Sequence, residues 1–412
     1  MRRAHVVGAG LAGLSAAMAL IEKGYSVRLS EAAPHAGGRC RSYRDPKLGV
    51  VIDNGNHLVL SGNTHVGAYL ERIGASGGLI GPEEAIFDFA DLRDGARWRL
   101  RPNAGPIPWW IASSARRVPG TKARDYLPLA KLGRAGRDET IPDSLPAKGL
   151  LWERLLDPFF VSALNTPSAT ASAKLAGAIV TGTLQKGGRA CRPLVAHPTL
   201  GATFVDPALA WLKAKGADIR LGRRLRAIDA GDRVIGLTFA DTSDPIAADE
   251  PVILAVPAWS ATELLPGLTA PDQHHAIVNA HFLMPAPANA PLLTGVIGGT
   301  AHWIFAFPDR LSVTISAADA LCDMDRDQLA ARIWADVAAT LSIPEPMPPW
   351  QIVRERRATF AATPAQDRRR PAARTSLANL FLAGDWTQTG LPATIEGAIQ
   401  SGETAAALTD GR

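Results

Sequence analysis

The sequence predicts an α/β protein: one parallel-sheet domain assembled from separated stretches, with an α+β domain supplied by the insertions between them. Three observations lead there. Residues 4–31 run strand, glycine-rich turn, helix, strand and a closing acid. Residues 379–409 supply a matching half, a short apolar strand followed by Gly384-Asp385 and a helix-like run. Between them the pattern changes character near residues 201 and 265. The sheet domain is therefore expected at 1–69, 202–265 and 371–412, and the inserted domain at 70–201 and 266–370.

The opening stretch "AHVVGAGLAGL" puts Gly8, Gly10 and Gly13 in G-x-G-x-x-G spacing directly after a strand. Gly8 allows the tight turn, Gly10 lets the backbone approach a pyrophosphate, and Gly13 lets helix and strand pack closely. N–H groups at the helix start, around Leu11 and Ala12, face the phosphates with the helix dipole behind them. Gly24 ends the helix, "YSVRLS" alternates as a second strand, and Glu31 lies eighteen positions after Gly13. An acid there accepts hydrogen bonds from ribose hydroxyls and repels a 2′-phosphate, which speaks against NADP. Arg2 and Arg3 before an apolar run also suit a twin-arginine leader. A cleaved leader, however, needs neither the second strand nor the acid. The complete unit reads as a Rossmann-like dinucleotide site.

The next residues separate FAD from NAD. "GGRCRS" (residues 37–42) brings Gly37 and Gly38, where backbone can lie against a cofactor, and Arg39, which can pair with its phosphates. At the far end Asp385 can meet the ribityl chain, and a helix beginning near Pro392 puts Thr394 and Ile395 at the flavin's pyrimidine edge. Its N-terminal dipole stabilises the negative charge of reduced flavin. Two half-sites, one at each end of the chain, make FAD the economical cofactor.

Composition narrows the class. At 412 residues the chain exceeds one typical domain. Its three cysteines, Cys40, Cys191 and Cys322, form no C-x-x-C pair, so neither a disulfide framework nor a metal site is expected. No apolar run reaches the roughly 18–20 residues of a membrane span. The net charge of +5 suits an anionic lipid surface better than nucleic acid, and "RRR" (368–370) reads as a solvated loop. A cytoplasmic enzyme is expected, with peripheral contact on the inner membrane left open.

Within the middle, "PIPWWIASSARRV" and "GLLWERLLDPFFVSALNT" read as helix-like and rich in Trp, Pro and Phe. A helix near Trp211, a strand through Ile219, two strands about Gly231-Asp232 and the apolar "PVILAVP" then return to the sheet. Residues 225–228, beginning with Leu225, can cover the adenine. "LLTGVIGG", "HWIFAF" and "LSVTISA" read as strands, followed by a helix through Trp334 and a strand through Ile352. An apolar cleft between the two domains is expected.

The first fingerprint with "GGR", together with "FLAGDWT…TIEGAIQSGETAA", resembles the FAD-dependent amine oxidase and phytoene desaturase superfamily. "DNGNHLVLSGN" (53–63), "SALNTPSATASA" (162–173) and "DPALAWLKAKGADIRLGRRLRAI" (206–228) are similar to the squalene-associated desaturases, the hydroxysqualene dehydroxylase family. The resemblance covers essentially the whole chain. It departs at Asn56, where that family often has Gln, and around "VAHPTLGATF". It implies an amine-oxidase-like architecture and a bacterial step of squalene and hopanoid synthesis. An apolar triterpenoid, hydroxysqualene, would lose its allylic hydroxyl and receive a hydride. Departure of the hydroxyl needs an acid, and a dry channel protects the allylic cation.

His57 is the candidate acid, oriented by Asp53, with the alternative that it satisfies local backbone. Asn54, Gly55 and Asn56 are placed at the flavin edge or the substrate hydroxyl. Asn165 and Thr166 either line the cleft or cap a helix, and Trp386 is expected to pack on the isoalloxazine. Residues 106–118 are a membrane anchor, a lid or core. No second nicotinamide fingerprint is present, so reduced FAD is expected from an external donor or reductase. A carotenoid-type desaturase, an amine oxidase and a non-catalytic prenyl-lipid carrier remain the rival readings.

Overall fold

The computed structural model describes residues 2–240 and 242–410. Its organising element is a five-stranded parallel sheet, in the order Asp218–Arg220, Ser26–Ser30, Arg3–Val7, Val252–Leu254, Leu380–Leu382. The three central strands are buried nearly throughout because both faces are covered, as parallel sheets require. Register runs His5 to Val252 on one side and Arg3 to Ser26 on the other. Strand 3–7 thus pairs both with its near neighbour 26–30 and with a strand almost 250 residues later.

The first helix, Leu11–Glu22, follows the glycine turn and is buried on nearly every side. It lies between the sheet and the C-terminal helix, Ile395–Ala407. The two helices pack almost backbone to backbone: Ser15 Oγ donates to the Ile399 carbonyl at 3.0 Å, and a Cβ on Gly402 would sit 2.1 Å from the Ala12 oxygen. The C-terminal helix begins at Ile395, three residues beyond Pro392, because Thr394 is its N-cap and accepts from the Gly397 N–H at 3.0 Å.

The second layer is a seven-stranded sheet in the order Trp350–Phe360, His274–Phe282, Leu311–Ile315, Trp303–Ala306, Leu293–Ile297, Phe87–Asp91, Arg97–Leu100. Every neighbour is antiparallel except 293–297 against 87–91. The period-2 alternation of strand 274–282 decides what this sheet does. Val278, Ala280 and Phe282 join the core beneath helix Arg326–Leu341, where Phe282 meets Trp334 at 5.1 Å. Asn279 and His281 point the other way, to the loop at residues 53–57.

Two expectations are corrected. The stretch 106–118 is irregular, with one 3-10 turn at Trp109–Ala112; Pro106 and Pro108 each remove a backbone donor. "RRR" is solvated only in part: the Arg368 and Arg369 side chains are 50% and 41% exposed, but Arg370 is 2% exposed, donating to Asp367, Thr389 and the Thr387 and Asp385 carbonyls. Asn165 does cap a helix, as the C-cap of Asp157–Leu164 with φ +47°. Among the described residues, no helix is long and apolar enough to cross a membrane.

Candidate active site

The glycine turn has the division of labour its spacing predicts. Gly8 has φ +105°, and a Cβ there would meet the Ala255 oxygen at 2.3 Å. A Cβ on Gly13 would sit 1.8 Å from the Gly8 oxygen. Gly10 differs, with nothing within 4 Å of its Cβ position, so free space is kept beside the start of the helix at Leu11 and Ala12. Glu31 accepts from the Ala9 and Ala33 N–H groups at 2.7 and 2.8 Å, which fixes its carboxylate at the strand end. Gly37 has φ +106° and donates to the Ala9 carbonyl, laying the Gly37-Gly38 turn against Gly10. This cradle of open space, helix N-terminus and fixed acid fits the dinucleotide half of FAD.

The opposite half-site meets it directly. Arg39 donates to Asp385 at 2.7 Å and to the Ala358 carbonyl at 2.5 Å. Arg39 is thus committed to a carboxylate 346 positions away rather than turned out toward phosphates. Gly384, at φ +148°, makes room for the Trp386 indole, whose N–H would lie 2.3 Å from a Cβ. Trp386 is 4% exposed and donates to the Val256 carbonyl at 2.9 Å, so it serves as wall, not as an open platform. Leu225 is buried in the hairpin Leu225–Ala230 and Val234–Phe239, outside the parallel sheet. The expected adenine cover is therefore a core side chain here.

Loop 53–57 closes the site from the other side. Asn54 donates through Nδ2 to Glu355 at 3.3 Å, and its carbonyl accepts from Asn279 at 3.4 Å. Gly55 is required: a Cβ would lie 2.8 Å from Asn279 Nδ2. Thr314 donates to Asn279 Oδ1 at 2.7 Å and accepts from Asn56 Nδ2 at 3.1 Å, leaving Asn56 Oδ1 buried without a partner. Glu355 pairs in register with Ile277 and so shares the face that carries Asn279 and His281.

Two catalytic assignments from the sequence do not survive this geometry. Asp53 does not orient His57; it accepts from Ser42 at 2.5 Å and the Leu200 N–H at 2.9 Å, with Arg310 at 3.7 Å. Burial, with the nearby Arg39 charge, pushes His57 down to about 4. An imidazole that is neutral at pH 7 has no proton to spare for a leaving hydroxyl. Asn165 is spent as well. Its amide donates to Thr359 at 2.9 Å and the His275 carbonyl at 3.1 Å, and accepts from the Ala317 N–H at 2.6 Å. With Thr166, which accepts from the Ala362 N–H at 2.8 Å, it pins a helix end to two strands. Glu355, Asn279 and Thr314 were missed by sequence reasoning, because nothing in "RERRATF" or "IVNAHF" marks which strand face looks at residues 53–57.

The fold and the cradle define an FAD-dependent oxidoreductase, and comparison with known proteins agrees. The chain belongs to the flavin containing amine oxidoreductase family, whose model matches residues 11–409. Among curated proteins it is 50% identical to the hydroxysqualene dehydroxylase of Zymomonas mobilis, over 98% of both chains. It is 52% identical to that of Rhodopseudomonas palustris, over 98% of this chain and 97% of the relative. Among solved structures, putrescine oxidase superposes with a TM-score of 0.69 at 17% identity, covering 100% of this chain and 99% of the other. Cyclohexylamine oxidase from Brevibacterium oxydans gives 0.70 at 16%, covering 99% and 98%. These last two likenesses speak for the fold alone.

Proposed function

We propose that this protein is a hydroxysqualene dehydroxylase, removing the allylic hydroxyl of hydroxysqualene reductively to give squalene. The observation that carries the reading is full-length identity near 50% to proteins of that name. FAD, when bound and reduced, supplies the hydride. The protein's own residues bind and orient it: the turn at Gly8, Gly10 and Gly13 with Leu11 and Ala12, Glu31, the Gly37-Gly38 turn, Arg39 with Asp385, and the helix start at Thr394 and Ile395. The domain division at 1–69, 202–265 and 371–412 against 70–201 and 266–370 belongs to the same reading.

The proton is assigned to Glu355 rather than to His57. Its carboxyl lies beside Asn54, on the sheet face that looks at residues 53–57. The acid gives its proton to the hydroxyl, which leaves as water; the allylic carbon then takes the hydride. Asn54 holds the resulting carboxylate, and Asn279 and Thr314 hold the loop. The substrate comes from a membrane or a preceding enzyme, and an external donor or reductase restores the reduced cofactor.

The test is anaerobic. Reduced holoenzyme mixed with hydroxysqualene should reoxidise with one squalene formed per flavin. Flavin that stays reduced with no squalene returns the desaturase and amine-oxidase readings.

A further inference from the structure

Charge is not spread evenly along this chain. Residues 101–137 hold eight of the 44 Lys and Arg but only one of the 39 Asp and Glu. That stretch carries +7, and the remaining 375 residues carry −2, with 36 cations against 38 acids. The whole positive excess of the molecule therefore sits in one short segment.

The same segment holds three of the four most exposed large apolar side chains among the described residues, Ile107 at 76%, Leu127 at 64% and Trp109 at 55%, with Leu150 at 44% beside them. Leu150 belongs to this face, since a Cβ on Gly120 would meet its Cδ1 at 2.9 Å. The exposure is imposed by the fold. Asn103 donates to the Gly105 and Ile107 carbonyls at 3.0 Å and accepts from the Trp110 N–H at 3.2 Å. Trp110 is turned inward onto Tyr126, edge to face at 5.3 Å, which leaves Ile107 and Trp109 facing out. Arg117 ties the turn through the Ile111, Ala112 and Thr121 carbonyls, and Arg116 lies 4.8 Å over the Trp109 ring. Lys122, Arg124, Lys131, Arg134 and Arg137 are exposed and enter no ion pair among the described residues.

We infer that residues 101–137 and Leu150 form a docking face for an anionic lipid bilayer, with Ile107, Trp109 and Leu127 entering the interface and the unpaired cations meeting the headgroups. Apolar anchors ringed by unpaired cations match a surface that is negative outside and apolar beneath. An acidic protein would satisfy the charge but give the apolar anchors nothing, and a second copy would set +7 against +7. The inference rests on the proposed function only for the cargo, an apolar triterpenoid that has to be collected from lipid.

Holoenzyme would be floated with phosphatidylcholine vesicles, with and without a minority of phosphatidylglycerol. Binding at least about tenfold tighter to the anionic vesicles, abolished by high salt, is expected. Trp109→Ser with Leu127→Ser, and separately Lys131→Glu with Arg134→Glu, should each reduce binding by about tenfold while leaving flavin content and turnover in detergent unchanged. Equal affinity for both vesicles, no binding, or a concentration-dependent dimer broken by Trp109→Ser would overturn it. Detergent turnover on hydroxysqualene scores the dehydroxylase reading independently, so either can fail alone.

Discussion

His281 faces the loop that carries His57, and both are held near 4 by burial, with a nearby arginine opposing the charge further. For His281 the hydrogen bonds agree: with Nε2–H donating to the Asp53 carbonyl at 3.1 Å, Nδ1 accepts from the Ser312 hydroxyl at 2.8 Å. That is the neutral tautomer on both sides. If the acid is instead Glu355, then Glu355→Gln should slow squalene formation by about a hundredfold with full flavin content. A hydroxysqualene ester whose leaving group departs without protonation should recover most of that loss. Failure of the ester to recover it would make Glu355 structural. His57→Gln, by contrast, should keep the rate within about threefold, since a general acid contributes typically a hundredfold or more.

At the scale of elements, the glycines separate binding from packing. Gly10→Ala meets no protein atom, so the apo fold should keep its melting temperature while FAD affinity falls, because the new methyl stands where the pyrophosphate approaches. Gly402→Ala should do the reverse in order: it drives a methyl to 2.1 Å from the Ala12 carbonyl, parting the first and last helices. Overpacking of this kind costs about 1–3 kcal/mol, so denaturation midpoints should drop even without cofactor. Equal stability losses for the two variants would show that the space at Gly10 is not a ligand space. The first of these roles was legible from spacing alone. The second was not, since Gly402 is one glycine among 38 until the two helices are seen to cross.

For the whole molecule, pH links these buried groups to stability. His281 titrates at about 6.5 in the unfolded chain and about 4 in the fold, so the unfolded state takes up the proton first. Its contribution is therefore complete above about pH 6.5 and is lost as pH falls toward 4; at pH 5 the loss is about 2 kcal/mol. Urea midpoints should fall between pH 7 and 5, and His281→Asn should flatten that fall. The sequence by itself determined the dinucleotide turn and its two flanking strands, because these follow from spacing within a few tens of residues, and the matching half-site at the far end of the chain added the cofactor. Phosphate-binding geometry is local, so a G-x-G-x-x-G after a strand carries its own meaning. What it could not determine was which polar groups meet across distance. Arg39 finds Asp385, Asn54 finds Glu355, and Asn165 is consumed by Thr359, His275 and Ala317. Those outcomes depend on which face of a strand turns inward and on what burial does to a proton, and only the packed tertiary structure decides either.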